Sequence, residues 1–113
     1  MLGNLGPIAR VGMRRLLSEG GLEVLGDQPE RETLDPEIAR LQPDVVVLDL
    51  DQSDSQELSR LVQRQCPRAK VVLWAPNEDV MEVIDPGMTR PRWVLSGVPQ
   101  DLLTEIRTQR ARE

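Results

Sequence analysis

The sequence contains no histidine, phenylalanine or tyrosine, and it has a single cysteine, Cys66, and a single lysine, Lys70. The absence of histidine excludes a histidine-based catalytic triad, a histidine-ligated zinc site and a phosphohistidine relay on this chain. One cysteine cannot form an internal disulfide bond, and we interpret Cys66 as structural because it follows directly after a predicted helix. Trp74 and Trp93 are the only aromatic residues, so the core must be built from aliphatic side chains.

Long hydrophobic runs are also missing. No apolar segment is long enough to span a membrane and no charged-then-apolar signal peptide opens the chain, so we expect a cytoplasmic protein without a membrane partner. The 113 residues suffice for one domain, 1–113, and 39% hydrophobic with 29% charged residues is typical of a folded chain. A net charge of −5 argues against direct nucleic-acid binding, and we interpret the arginines of the first and last predicted helices as solvated faces.

The most informative segment is PDVVVLDL, residues 43–50. Four consecutive apolar residues, 45–48, lead directly into the carboxylate of Asp49. A short run that is this apolar and this rich in β-branched residues is typical of a strand buried on both faces of a parallel sheet. Ligands collect at the carboxyl ends of the strands in such sheets, so Asp49 is the first candidate site residue.

Helical and strand-like patterns alternate along the chain. The predicted helices are 7–18, 35–41, 54–65, 77–84 and 99–110, and the predicted strands are 22–25, 43–50, 70–75 and 93–95. Strict alternation predicts right-handed crossovers and an α/β fold: a three-layer, doubly wound parallel sheet with helices on both faces. Residues 1–4 are the only segment available for a strand ahead of the first helix, so the first strand is expected to be short or degenerate.

Four sequence segments carry a family resemblance: GMRRLLSEGGLEVLG (12–26), IARLQPDVVVLDL (38–50), CPRAKVVLWA (66–75) and PQDLLTEIR (99–107). Together with the element order they resemble a response-regulator receiver domain of the type found ahead of helix-turn-helix DNA-binding effectors. The resemblance covers nearly the whole chain from residue 7 onward. It implies the flavodoxin/CheY-like fold, a role in a bacterial two-component system, and a possible DNA-binding effector beyond residue 113.

The resemblance places Asp49 at the phosphoacceptor position. Receiver domains hold Mg²⁺ beside this aspartate with an acidic pair after the first strand, and the matching positions are Asn4 and Leu5, which bring no carboxylate. The hydroxyl that senses the phosphate in the family corresponds to Ala75, or to Trp74 with a shift of one residue. Most of the phosphorylation machinery is therefore substituted, and no cofactor is expected.

Two further positions of the receiver family correspond to residues in or near the last predicted strand, 93–95. The conserved lysine of receivers has only Leu95, Ser96 and Gly97 as candidates, since Lys70 begins the preceding strand. The aromatic ring that moves on activation corresponds to Trp93, and this residue is either such a ring fixed in one state or a filler of the core. Ala75 and Trp93 are thus the two switch positions that the resemblance assigns.

Two alternatives remain at Asp49. One is a surviving cation site, with Asp49 and Asp51 as weak metal candidates and Asp54 as a possible helper from the same loop. The other is a carboxylate that caps the loop or the start of the next helix. A calcium-binding EF-hand is rejected, because Asp54 stands where the glycine belongs and Arg60 where the glutamate belongs.

The sequence shows no nucleophile–base pair and no phosphate-cradling glycine loop, so we do not expect an enzyme. We predict an atypical receiver that acts as a phosphorylation-independent protein-interaction or dimerisation module in bacterial signal transduction or transcription regulation. Its partner surfaces are expected on the first and last helices, or on the last helix with the preceding strand. The alternatives are a small-molecule sensor that uses the vacated phosphorylation pocket and a phospho-switch at Asp49 with an unusual metal site.

Overall fold

A computed structural model describes residues 1–3, 5, 7–22, 31–75, 78, 80–88, 90–95 and 99–107, without the side chains of 7–10, 31–35, 99 and 107. In these ranges the elements are α1 (Pro7–Glu19), α2 (Arg31–Leu41), β1 (Val45–Asp49), α3 (Ser55–Gln65), β2 (Lys70–Ala75), β3 (Val80–Ile84), β4 (Arg92–Val94) and α4 (Pro99–Arg107). The predictions for β1, α3 and β2 are confirmed, with β1 shorter by two residues at its start and one at its end.

The four strands form one mixed sheet in the order β1-β2-β3-β4. Strand β1 is parallel to β2, but β2 and β3 are antiparallel, as are β3 and β4. The predicted doubly wound, all-parallel flavodoxin/CheY-like sheet is therefore wrong. The error arises at residues 77–84, where a crossover helix was predicted and the chain instead forms β3.

Two properties of the segment after β2 account for the antiparallel direction of β3 and for its strand conformation, respectively. Only residues 76–79 join Ala75 to Val80, whereas a crossover between parallel strands takes a dozen residues or more. The N–H of Glu78 donates to the C=O of Ala75 at 3.1 Å and tightens the turn. Val80, Val83 and Ile84 are β-branched, which favours a strand over a helix.

The start of the chain adds one bridge to the sheet. Leu2 pairs in parallel with Val47 of β1, supported by Gly3 N–H to Val47 C=O and Val47 N–H to Met1 C=O, both at 2.9 Å. The expected first strand is thus a single bridge, and it lies beside β1 at the edge of the sheet. Of the predicted strand 22–25, Leu22 is not in a strand, and 23–25 lie outside the described residues.

Helix α1 ends one residue later than predicted, and Gly21 follows it with a φ of 77°, a left-handed conformation that glycine adopts without strain. The N–H of Leu22 donates to the C=O of Leu17 at 2.9 Å across this turn. Helix α2 begins at Arg31, earlier than the Asp35 predicted from the Asp-Pro pair, so Pro36 lies inside the helix. The prediction of a loop over 27–34 is wrong for its last four residues.

Helices pack against both faces of the sheet. The core on the α2–α3 side includes Ile38, Val46, Leu58, Leu61 and Leu73. The core on the α1–α4 side includes Met13, Leu17, Val47, Val72 and Leu102. Because successive side chains of a strand point to opposite faces, β1 and β2 supply both cores and are buried on both sides. No helix among the described residues combines the length and the apolar character needed to cross a membrane.

Candidate functional site

Asp49 is the last residue of β1, and its side chain is engaged by the loop that follows. Its Oδ1 accepts the backbone N–H of Asp51 at 2.9 Å, and its backbone C=O accepts the hydroxyl of Ser55. A carboxylate that accepts the N–H two residues further along forms an Asx-turn, which mimics a backbone turn. These hydrogen bonds join the end of β1 to the start of α3, so Asp49 organises this loop.

Two positions that the receiver resemblance assigns to the phosphorylation site carry aliphatic side chains. Asp49 pairs with Trp74 in the parallel register of β1 and β2, and Ala75, the predicted hydroxyl position, follows as a fully buried methyl group. Leu5, one of the two predicted acidic positions, is 3% exposed and belongs to the α1–α4 core. Its neighbour Asn4 lies outside the described residues. Neither the Leu5 side chain nor the Ala75 side chain carries an oxygen that could bind a cation or a phosphoryl group.

The remaining acidic residues of the loop are Asp51, which is exposed, and Asp54, which directly precedes α3. Within the described ranges, no group of three or more His, Cys, Asp or Glu residues is placed to hold a metal ion. Mg²⁺ requires several oxygen ligands in near-octahedral geometry. The receiver resemblance assigns a magnesium ligand to Leu5, and this buried aliphatic side chain offers no carboxylate.

Trp93, the second predicted switch position, lies away from Asp49. The predicted parallel sheet would place Trp74 and Trp93 on neighbouring strands, but β3 lies between β2 and β4. Two strand spacings of about 4.8 Å separate the backbones of β2 and β4. Trp93 is 58% exposed and Leu95 is 85% exposed, so Trp93 does not fill the core. The other two candidates for the lysine position, 96 and 97, lie outside the described residues.

A comparison of the chain with protein-family models, curated proteins and solved structures finds no match. Family membership is therefore not shown, and the receiver resemblance stays a prediction from the sequence.

A group of charged side chains that the sequence patterns did not identify lies at the opposite end of the sheet from Asp49. It joins Lys70 at the start of β2, Asp85 after β3, Arg92 at the start of β4 and Glu105 on α4, and we call it the α4 ion network. Lys70 Nζ lies 2.6 Å from the backbone oxygen of Glu105, 3.2 Å from its Oε1 and 3.8 Å from Asp85 Oδ1. Arg92 binds both carboxylates, with Nε 2.7 Å from Asp85 Oδ2 and Nη2 2.7 Å from Glu105 Oε1.

The network combines two cations with two anions, and its lysine is completely buried. Buried charges are tolerated when they are paired and hydrogen-bonded. The hydrogen bond from Arg92 is the main cause that holds the pKa of Glu105 below its usual value. Desolvation raises this pKa, and the hydrogen bond from Lys70 lowers it further. The hydrogen bond to Asp85, followed in size by the hydrogen bond to Glu105, raises the pKa of Arg92. Arg92 and Glu105 therefore stay ionised at neutral pH.

The α4 ion network fastens the last helix to the sheet. Glu105 lies in the last turn of α4, where backbone carbonyls have no partner within the helix. Lys70 supplies a donor to one of them and places a cation near the negative end of the helix dipole. One sequence feature pointed to this network: the only lysine of the chain is the first residue of an apolar predicted strand. Its partners come from three other segments, so no spacing along the chain identifies them.

Replacing Glu105 by glutamine should lower the free energy of unfolding by about 1–2 kcal/mol at neutral pH, since charge-assisted hydrogen bonds are lost. The pKa of Glu105 is lowered in the folded state, so its ionised form stabilises the fold above the ordinary glutamate pKa of about 4.3, and this contribution disappears as the pH falls through the lowered folded pKa. Urea unfolding of both proteins from neutral to acidic pH measures the difference.

The difference between wild type and Glu105→Gln should be constant near neutral pH and shrink below about pH 4. Glu19→Gln is the control, because Glu19 forms an exposed pair with Arg15 on α1. A Glu105→Gln effect that is as small as that of Glu19→Gln, or that does not change with pH, would contradict the assigned contacts.

Proposed function

We propose that the chain is a phosphorylation-independent protein-interaction module that self-associates through β4. The observation that carries the proposal is the exposure of Trp93 on β4 and of Leu95 directly after it. We call these two side chains the β4 surface. An indole ring presents a large apolar area, and tryptophan is enriched at the energetically dominant centres of protein interfaces. Burial of the β4 surface by a partner would remove this area from water.

The position of β4 in the sheet supports the same surface. Among the described strands, β4 pairs only with β3, so it forms one edge of the sheet. An edge strand offers backbone donors and acceptors to a further strand. A second copy that presents the same edge across a two-fold axis would satisfy these groups and bring the two β4 surfaces together, as in isologous dimers.

Three features support independence from phosphorylation. Leu5 is part of the core, Ala75 is a buried methyl group, and the Asp49 carboxylate already accepts the N–H of Asp51. Phosphoryl transfer to an aspartate depends on cations that neutralise the transferring oxygens. The described residues around Asp49 supply no cation-binding set of the receiver type.

The wider setting of the module rests on the receiver resemblance. On that basis the proposal includes a role in bacterial signal transduction or transcription regulation, in the cytoplasm and without enzymatic activity. The net charge of −5 supports contact with proteins rather than direct contact with nucleic acid.

Sedimentation velocity over a wide concentration range tests the self-association. The wild-type chain should shift from monomer to dimer with rising concentration, and Trp93→Ser should weaken the dimer by about thirtyfold or more, the size typical of a hot-spot residue. Val11→Ser is the matched control, because Val11 is also a largely exposed apolar residue but lies on α1. It should leave the dimer unchanged.

A monomer at every concentration would overturn the proposed self-association. Loss of the dimer in Val11→Ser but not in Trp93→Ser would place the contact on α1 instead. Mg²⁺ with beryllofluoride, an acyl-phosphate mimic, should leave the dimer unaffected. A response to the mimic that is absent from Asp49→Ala would favour the phospho-switch.

A further inference from the structure

A cleft of about 430 Å³ lies between the C-terminal half of α3 and the loop that joins β3 to β4. Arg60 and Arg64 line it from α3, and Asp85 and Met88 line it from the loop. The side-chain amide of Gln63 donates to the C=O of Met88 at 2.9 Å, which ties the loop to the helix and holds the two walls together. The volume is within the range of sites for small molecules.

The two arginines are available to a ligand. Both are exposed, and in the part of the chain that the structure describes neither forms a hydrogen bond or an ion pair. Being four residues apart on α3, they are neighbours on the helix surface, with Cβ atoms about 6 Å apart. Arg15 and Arg40, by contrast, each pair with a glutamate on their own helix.

The acidic residue of the cleft does not cancel the positive charge of the arginines. The carboxylate of Asp85 is bound by Arg92 through both oxygens and lies near Lys70 Nζ, so its charge is balanced within the α4 ion network. Among the described residues, no carboxylate pairs with the two guanidinium groups of the cleft, in a chain whose net charge is −5. Electrostatic attraction here favours an anion with two charges.

The walls of the cleft also offer apolar surface. Met88 is 53% exposed, and Pro67 is exposed beside the two arginines. Guanidinium groups match phosphate oxygens with paired, charge-assisted hydrogen bonds. We propose that this cleft binds a small phosphate monoester, with the phosphate held by Arg60 and Arg64 and the organic part against Met88 and Pro67.

Isothermal titration calorimetry of the full chain with phenyl phosphate and with inorganic phosphate, at low ionic strength, tests this site. Phenyl phosphate should bind saturably and more tightly than inorganic phosphate, because its ring adds contact with Met88. The double variant Arg60→Gln/Arg64→Gln should weaken binding of both by about a hundredfold, roughly tenfold for each arginine. Met88→Ala should weaken phenyl phosphate and leave inorganic phosphate unchanged.

The double variant Arg15→Gln/Arg40→Gln is the charge-matched control, since it removes two positive charges from exposed positions outside the cleft. It should bind both ligands as wild type does. Equal weakening in the two double variants would mean that only the total charge matters, and it would overturn the site, as would the absence of saturable binding. A phosphoserine peptide that binds more tightly than phenyl phosphate would overturn the assignment to a small molecule.

Discussion

Replacing Lys70 by alanine should lower the free energy of unfolding by about 3–5 kcal/mol, the usual cost of breaking a buried ion pair by removing one partner. Lys70 is completely buried, and its ammonium group donates to both the backbone and the carboxylate of Glu105. Without it, the carbonyl of Glu105 loses a donor and a cavity opens beside the sheet. Chemical unfolding followed by circular dichroism measures the loss.

Two further variants separate charge from packing at this position. Lys70→Met keeps most of the buried stem, so it should be more stable than Lys70→Ala and less stable than wild type. Arg40→Ala removes an exposed cation that pairs with Glu37, and its unfolding midpoint should match that of wild type. Equal stability of Lys70→Ala and Arg40→Ala would mean that the α4 ion network does not hold α4 to the sheet.

The second large effect is expected in β3, where Met81→Ala and Ile84→Ala should each cost about 2–4 kcal/mol. Met81 belongs to the core on the α1–α4 side and Ile84 to the core on the α2–α3 side. Because these cores are separated by the sheet, the two losses should add in the double variant. The same unfolding experiment measures all three proteins.

Val80→Ala is the control for these substitutions, since Val80 is only partly buried at the start of β3 and should cost less than either. Small effects at Met81 and Ile84 would mean that this segment is not a strand buried on both faces. Such a result would contradict the pairing of residues 80–84 between β2 and β4.

The elements that the sequence predicted well are those whose pattern has one physical solution. Residues 45–48 are all apolar and are followed by the charged Asp49, which is typical of a buried strand. Leu58, Leu61 and Val62 recur with the period of a helix. Strand β1 and helix α3 accordingly lie within two residues of their predicted bounds. Segment 77–84 was assigned to a helix because the other elements alternate, although Val80, Val83 and Ile84 are β-branched and favour a strand. The short connection from Ala75 then makes this strand antiparallel to β2.

The candidate sites also fall into those that the sequence pattern predicts and those that depend on tertiary packing. Asp49 was placed correctly at the end of β1, because a buried strand fixes where its last residue lies. The position of Trp93, two strands away from Trp74, did not follow from the sequence pattern, because it depends on the order of the strands rather than on their existence. The arginine-lined cleft and the α4 ion network join residues from separate segments, and only tertiary packing brings those segments together.

The mixed sheet also determines how the chain can reach its native state. Strands β2, β3 and β4 follow one another along the chain and pair as a meander, so each pairing closes only a short loop and costs little chain entropy. The contact of Met1 with Val45 joins residues 44 positions apart and closes a much longer loop. We therefore expect the meander to assemble early, with the amino-terminal residues joining β1 only after the rest of the sheet has formed.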